Sequence, residues 1–189
     1  MQQRKRKSAF TTKTIAYCAL FAALNVVLAR LFALMPSESA RFSIEAVPTF
    51  LAGVFFGPLA GGIVGFSGDF IGCLFSGYGY NPMFCVPPIL YGVFGGLFRH
   101  LIAKNSGFRS LFWLIIGFLL PVTLGSILYQ SFALNLIYSD GSVTQFWIRL
   151  TARSIQFSIT MVLEIVITKL LLDSKIFTRM GLWPPATKK

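Results

Sequence analysis

The sequence predicts an all-α integral membrane protein, a bundle of six transmembrane helices with both termini in the cytoplasm. Three observations point there. Of 189 residues, 55% are hydrophobic and only 12% are charged, against about 25% charged in an average soluble domain. Too few polar groups remain to coat a folded chain in water. Apolar runs follow one another along the whole length, parted by short polar breaks. The basic residues are gathered rather than scattered: thirteen of the seventeen Lys and Arg fall in three groups. These are Arg4 to Lys7 with Lys13; Arg99, Lys104 and Arg109; and Lys169, Lys175, Arg179, Lys188 and Lys189. Such grouping is the topogenic pattern that holds loops in the cytoplasm.

Crossing roughly 30 Å of hydrocarbon takes about 20 helical residues. The first span runs from Thr14 to Leu34 and a polar stretch, Pro36 to Ser43, ends it. The second, Ile44 to Phe56, would cover only about 20 Å. Either Arg41 to Ser43 extend it or the bundle is thin there. Gly57-Pro58 reads as a turn. The third span, Leu59 to Phe75, is glycine-rich and carries Asp69. Ser76 to Pro82 is a loop by composition. The fourth span is Met83 to Ile102, with Pro87-Pro88 near its start; the fifth is Phe108 to Leu136; the sixth is Gln145 to Leu172. Six spans and a basic N-terminus place the loop Arg99 to Arg109 inside and Ser139-Asp140-Gly141 outside. One membrane domain results, with a basic segment at 1–13, the bundle at 14–172 and a basic tail at 173–189. The apolar run near the N-terminus continues too far, without a small-residue cleavage site, for a cleaved signal peptide.

Several function classes fall away. A net charge of +11 can mark a nucleic-acid binder, but here topology accounts for it. Cys18, Cys73 and Cys85 lie in apolar runs without paired spacing, so neither a disulfide nor a zinc framework is expected. The one histidine, His100, sits in a basic cytoplasmic loop, and no metal-ligand spacing occurs. No nucleophile, base and acid can be assembled for an enzyme, and no cofactor is implied. There is no phosphate-binding Walker A motif, so ATP-driven work would fall to another chain.

What remains is polar and lies outside. The four basic residues beyond the cytoplasmic groups are Arg30, Arg41, Arg149 and Arg153, all at or near the outer half of the membrane. Arg149 and Arg153 are four apart and share a helix face, which Gln145 and Gln156 extend. Arginine in a membrane costs about 2.5 kcal/mol or more at the centre. Snorkelling, an acid partner (Glu38, Glu45, Asp69 or Asp140) or a water-filled cavity can each offset this. Their outer location opposes the positive-inside bias, and an anionic ligand is the simplest cause, because the guanidinium fork matches carboxylates. Asp69 stands alone in a glycine-rich span, either reading a heterocycle edge or balancing Arg41 or Arg153. Tyr78, Tyr80, Asn81 and Phe84 crowd one loop, as an interfacial aromatic belt or as a lid with stacking rings. Small residues at Ala19 and Ala23 allow close helix approach, within the bundle or against another subunit.

Three stretches carry a resemblance: Ala19-Leu-Phe-Ala-Ala23 through Arg30; Arg41-Phe42-Ser-Ile-Glu-Ala-Val-Pro48; and Leu51-Ala-Gly-Val-Phe-Phe-Gly-Pro through Gly65-Phe-Ser-Gly-Asp69-Phe-Ile-Gly72. In these the chain resembles the substrate-binding S components of energy-coupling factor (ECF) vitamin transporters, most of all the folate-specific type. The resemblance implies a six-helix bundle in a bacterial cell membrane with a vitamin pocket near its outer surface. It implies high-affinity capture of folate from outside, then toppling against a scaffold membrane subunit driven by two ATPase subunits. Ala19 and Ala23 map to the face that docks on the scaffold. Glu45-Ala46 beside Pro48 departs from the family pattern and leaves the second helix's part in the pocket open. Folate has a donor-edged pterin, an aromatic linker and a tail with two carboxylates. Asp69 or Gln156 would read the pterin edge, aromatic side chains would stack, and Arg30, Arg41 or Arg153 would hold carboxylates. Alternatives are S components for riboflavin, thiamine or pantothenate, a small enzyme acting on anionic headgroups, and a structural subunit without ligand. Thiamine is cationic and wants acids, which the outer half is expected to lack.

Overall fold

The computed structural model describes residues 11–30, 34–37, 40–75, 80–105, 107–138 and 141–183; the side chains at 34–37, 40, 41 and 175 lie outside that description. Helix α1 (Thr12–Arg30) leads into a hairpin of β1 (Leu34–Ser37) and β2 (Ala40–Phe42), then α2 (Ala46–Phe56) and α3 (Pro58–Leu74). A 3₁₀ turn (Pro82–Cys85) opens α4 (Val86–Lys104). Helix α5 (Phe108–Pro121), a π-helical stretch (Val122–Tyr129) and α6 (Gln130–Tyr138) run on as one rod, followed by α7 (Val143–Asp173) and the short α8 (Lys175–Arg179).

Among the described residues four helical stretches are long and apolar enough to cross a membrane: Thr12–Arg30, Pro82–Lys104, Phe108–Tyr138 and Val143–Asp173. Helices α2 and α3 are shorter. The burial pattern of α7 is the reverse of a soluble helix. Ile155, Ile159, Val162, Val166 and Leu170 face outward, while Gln156, Thr160, Glu164 and Thr168 are buried. That inversion fits a chain whose surroundings are lipid and whose polar chemistry is kept inside.

Helix α2 is the core of the bundle, with every residue from Ala46 to Phe55 buried. Phe50 stacks on Phe118 of α5 with ring centroids 4.1 Å apart. Glycines let α2, α3 and α4 touch backbone to backbone. A Cβ at Gly92 would strike the Gly61 carbonyl, and one at Gly53 would strike that of Gly92. With little hydrophobic drive between helices in lipid, this close approach is what brings them together. Gly57 makes the sharp turn between α2 and α3 with φ 103°, open to glycine at little cost, and Pro58 then starts α3 with its φ already helical.

The elements depart from the sequence reading in five places. Helix α1 stops at Arg30 rather than Leu34, and a hairpin replaces the expected helix end and loop. Pro36 lacks the N–H a helix needs and disfavours the helical conformation in the residue before it. Arg41 lies in β2 and does not extend α2, so α2 is short, at eleven residues. Helix α4 begins at Val86, after Asn81 Oδ1 accepts from the Met83 backbone N–H at 3.0 Å. His100 lies on α4, which continues to Lys104, and not in a loop. The fifth span is not uniform, because it changes register after Pro121. Tyr78, Ser139 and Asp140 lie outside the described residues.

Candidate functional site

A cavity of about 530 Å³ opens between the helices, within the usual range for small-molecule sites. Most of the long helices contribute to its wall. Helix α1 supplies Asn25 and Arg30; the segment before α2 supplies Ser43 and Glu45; the first turn of α2 supplies Ala46 and Thr49. Helix α3 brings Asp69 and Cys73, and the turn before α4 brings Tyr80, Asn81 and Phe84. Helix α4 adds Tyr91, the π-helical stretch Ser126, and α7 adds Arg153, Gln156, Phe157, Thr160 and Glu164.

The wall is built by local causes that can be named. Asn25 is buried and donates from Nδ2 to the Glu45 carbonyl at 2.7 Å and to Thr49 Oγ1 at 2.9 Å. It thereby pins α1 to the start of α2. Pro121 cannot donate a backbone hydrogen bond, and the next eight residues wind as a π-helix, a form frequent at functional sites. The Ser126 carbonyl there receives Arg153 Nε at 3.1 Å. The Arg153 guanidinium also lies over the Phe157 ring, 5.0 Å from its centroid, a cation–π arrangement. Ser126 Oγ is 3.4 Å from Tyr91 Oη. Arg30 Nε is buried with no hydrogen-bond partner among the described residues. Tyr80 packs edge-on to Phe70 with centroids 5.0 Å apart. Its phenol pKa is pushed up to about 12, chiefly by its hydrogen bond with Cys85, so it is protonated at neutral pH.

Of the residues expected from sequence, Arg30, Asp69, Tyr80, Asn81, Phe84, Arg153 and Gln156 come together on this cavity. Two others do not. Arg149 Nη1 donates to the Leu134 carbonyl at 3.3 Å and lies off the cavity wall. Phe42 is half-buried and also absent from the wall. Tyr78 and the Arg41 side chain fall outside the described residues. The second helix does take part, through Ala46 and Thr49. The expectation that acids are lacking is corrected, since Glu45, Asp69 and Glu164 all line the cavity. Glu164 could have been read from sequence by the rule that picked out Asp69, a lone acid within an apolar helix. Ala19 and Ala23 are exposed and border a second, apolar groove between α1 and α3, with Val26, Val27, Ser67 and Ile71. All three cysteines are free thiols. Among the described residues no cluster has the makings of a metal site.

Residues 9–173 match the family described as the S component of the ECF-type riboflavin transporter. The chain belongs to this S-component family. It is a substrate-binding subunit of a transporter and not an enzyme. Solved structures agree on the fold. A FolT structure bound with folic acid shares 28% identity at TM-score 0.70, over 85% of this chain and 93% of that one. ThiT from Listeria monocytogenes shares 18% at TM-score 0.59, over 90% and 96%. The S component of a bacterial ECF transporter shares 22% at TM-score 0.55, over 84% and 95%. Among curated proteins none matches the chain by sequence.

Proposed function

We propose that this S component captures folate from outside the cell for an ECF-type importer. The observation that carries the reading is the composition of one cavity, where two guanidinium groups, Arg30 and Arg153, share walls with aromatic rings and buried acceptors. A flat, donor-edged heterocycle with an anionic tail meets all three needs at once. The likeness to FolT bound with folic acid supports the same choice. In this reading the chain spans a bacterial cell membrane six times with both ends inside, α2 and α3 making the two short crossings. A scaffold membrane subunit docks on the groove at Ala19 and Ala23, two ATPase subunits drive the cycle, and toppling of the bundle turns the cavity inward.

A second reading has its own support. Glu45, Asp69 and Glu164 on the cavity wall remove the argument against a cationic vitamin such as thiamine, and the matching family bears the name of riboflavin. Isothermal titration of the purified protein with folate, thiamine, riboflavin and pantothenate separates the readings. Tryptophan fluorescence is a poorer readout, because Trp113, Trp147 and Trp183 are not on the cavity wall. Saturable binding of folate alone, in the nanomolar range, is the expected result. Binding of another vitamin in its place would overturn the assignment to folate.

A further inference from the structure

We infer that the Glu164 carboxylate, and not Asp69 or Gln156, receives the donor-bearing edge of the ligand's ring system; this rests on the folate reading above. Glu164 is only 3% exposed yet lines the cavity. The Ala46 backbone N–H donates to its carboxyl group, while Oε2 is buried with no hydrogen-bond partner among the described residues. An unfilled buried acceptor on a carboxylate is costly, and here it borders open space. A pair of parallel N–H donors, as on a 2-amino-4-oxo pteridine, would fill it with hydrogen bonds. Gln156 and Thr160 stand above it at four-residue intervals on the same buried face of α7, so the ligand is guided down a polar edge to this point.

The position also fixes polarity. Arg153 and Glu164 lie on one helix, eleven residues or about 16 Å apart along its axis. Cation and acceptor are therefore set at two ends of one cavity. A ligand must carry its anion at one end and its donors at the other. Asp69 lines the same cavity from α3, beside the turn that carries Tyr80 and Asn81, and is already engaged by an interaction of its own.

The test titrates wild-type protein and E164Q with folate and with 4-aminobenzoyl-glutamate, which keeps the tail and lacks the pterin, and records the unfolding temperature of each protein without ligand. In E164Q the side-chain amide turns an N–H toward the ligand's own donors. Folate should weaken about thirtyfold or more, with the fragment's affinity and the unfolding temperature unchanged. Equal folate affinity in both proteins would overturn the assignment. Equal losses for folate and fragment would also overturn it, because they would mean that Glu164 only holds the start of α2. If E164Q does not fold, E164D keeps the charge but withdraws it by one methylene, and the same comparison decides. Wild-type protein that ignores folate would sink the folate reading itself, and that arm is read before any variant.

Discussion

At the scale of single residues, the site is a set of polar side chains held where lipid would otherwise exclude them. Arg153 is the clearest case. Its Nε is already committed to the Ser126 carbonyl and its flat face to Phe157, which leaves the remaining N–H groups aimed by two fixed contacts. R153A should weaken folate by about 2 kcal/mol, roughly thirtyfold, as expected for a lost charge-assisted contact. An affinity within a few-fold of wild type in the same titration would show that the carboxylates are held elsewhere. Residues of this kind are legible in a sequence because a charge in an apolar run has few explanations. Arg30, Asp69, Arg153 and Gln156 were found that way. Asn25, Thr49 and Ser126 were not, because amides and hydroxyls are common in membrane helices and only partners twenty or more residues away reveal their task. Arg149 was misread because i, i+4 spacing gives a shared face but not a shared destination. Arg153 lines the cavity, while Arg149 reaches the Leu134 carbonyl instead.

At the scale of elements, the helices were readable and their joints were not. Apolar runs locate the long helices, since hydrophobicity is a local property, but not the short α8, which lies in the stretch read as a basic tail. The β-hairpin after α1 and the π-helical stretch after Pro121 depend on where backbone hydrogen bonds go once proline interrupts them, and composition does not record that. The glycines of α2, α3 and α4 were visible, but which glycine faces which carbonyl is a matter of tertiary packing. Gly92 is the most constrained of these, because a side chain there meets the Gly61 carbonyl, part of a backbone and unable to swing aside. G92V should lower the unfolding temperature in detergent sharply, with a cost of at least about 3 kcal/mol as overpacking goes, and should reduce the folded yield. Gly141 offers the control, since among the described residues nothing lies within 4 Å of a Cβ placed there. Its φ of 76° makes G141N a gentler control than G141A.

At the scale of the whole molecule, binding and docking are assigned to separate places. The cavity lies among α1, α2, α3, α4, the π-helical stretch, α6 and α7, while the apolar groove at Ala19 and Ala23 is between α1 and α3. A23L should fill that groove without touching the cavity. Folate affinity of the isolated subunit should stay within about twofold, while co-purification with the scaffold subunit and uptake in cells should fall at least about tenfold. Loss of both binding and uptake would mean that the two places are coupled through α1, and retention of both would move the docking face elsewhere.

The brevity of α2 has a geometric consequence. Eleven residues of helix reach about 17 Å, against roughly 30 Å of hydrocarbon. A lipid-facing helix so short would suffer hydrophobic mismatch and drag the bilayer thin. Helix α2 escapes this because its neighbours enclose it, so no acyl chain ever measures its length. Those neighbours are set by the thickness of the membrane and α2 is not. The cavity opens at the end of α2 where Glu45, Ala46 and Thr49 stand. A helix that ends early inside a ring of longer neighbours thus leaves its first turn free to face a ligand, where a full-length helix would present a continuous side.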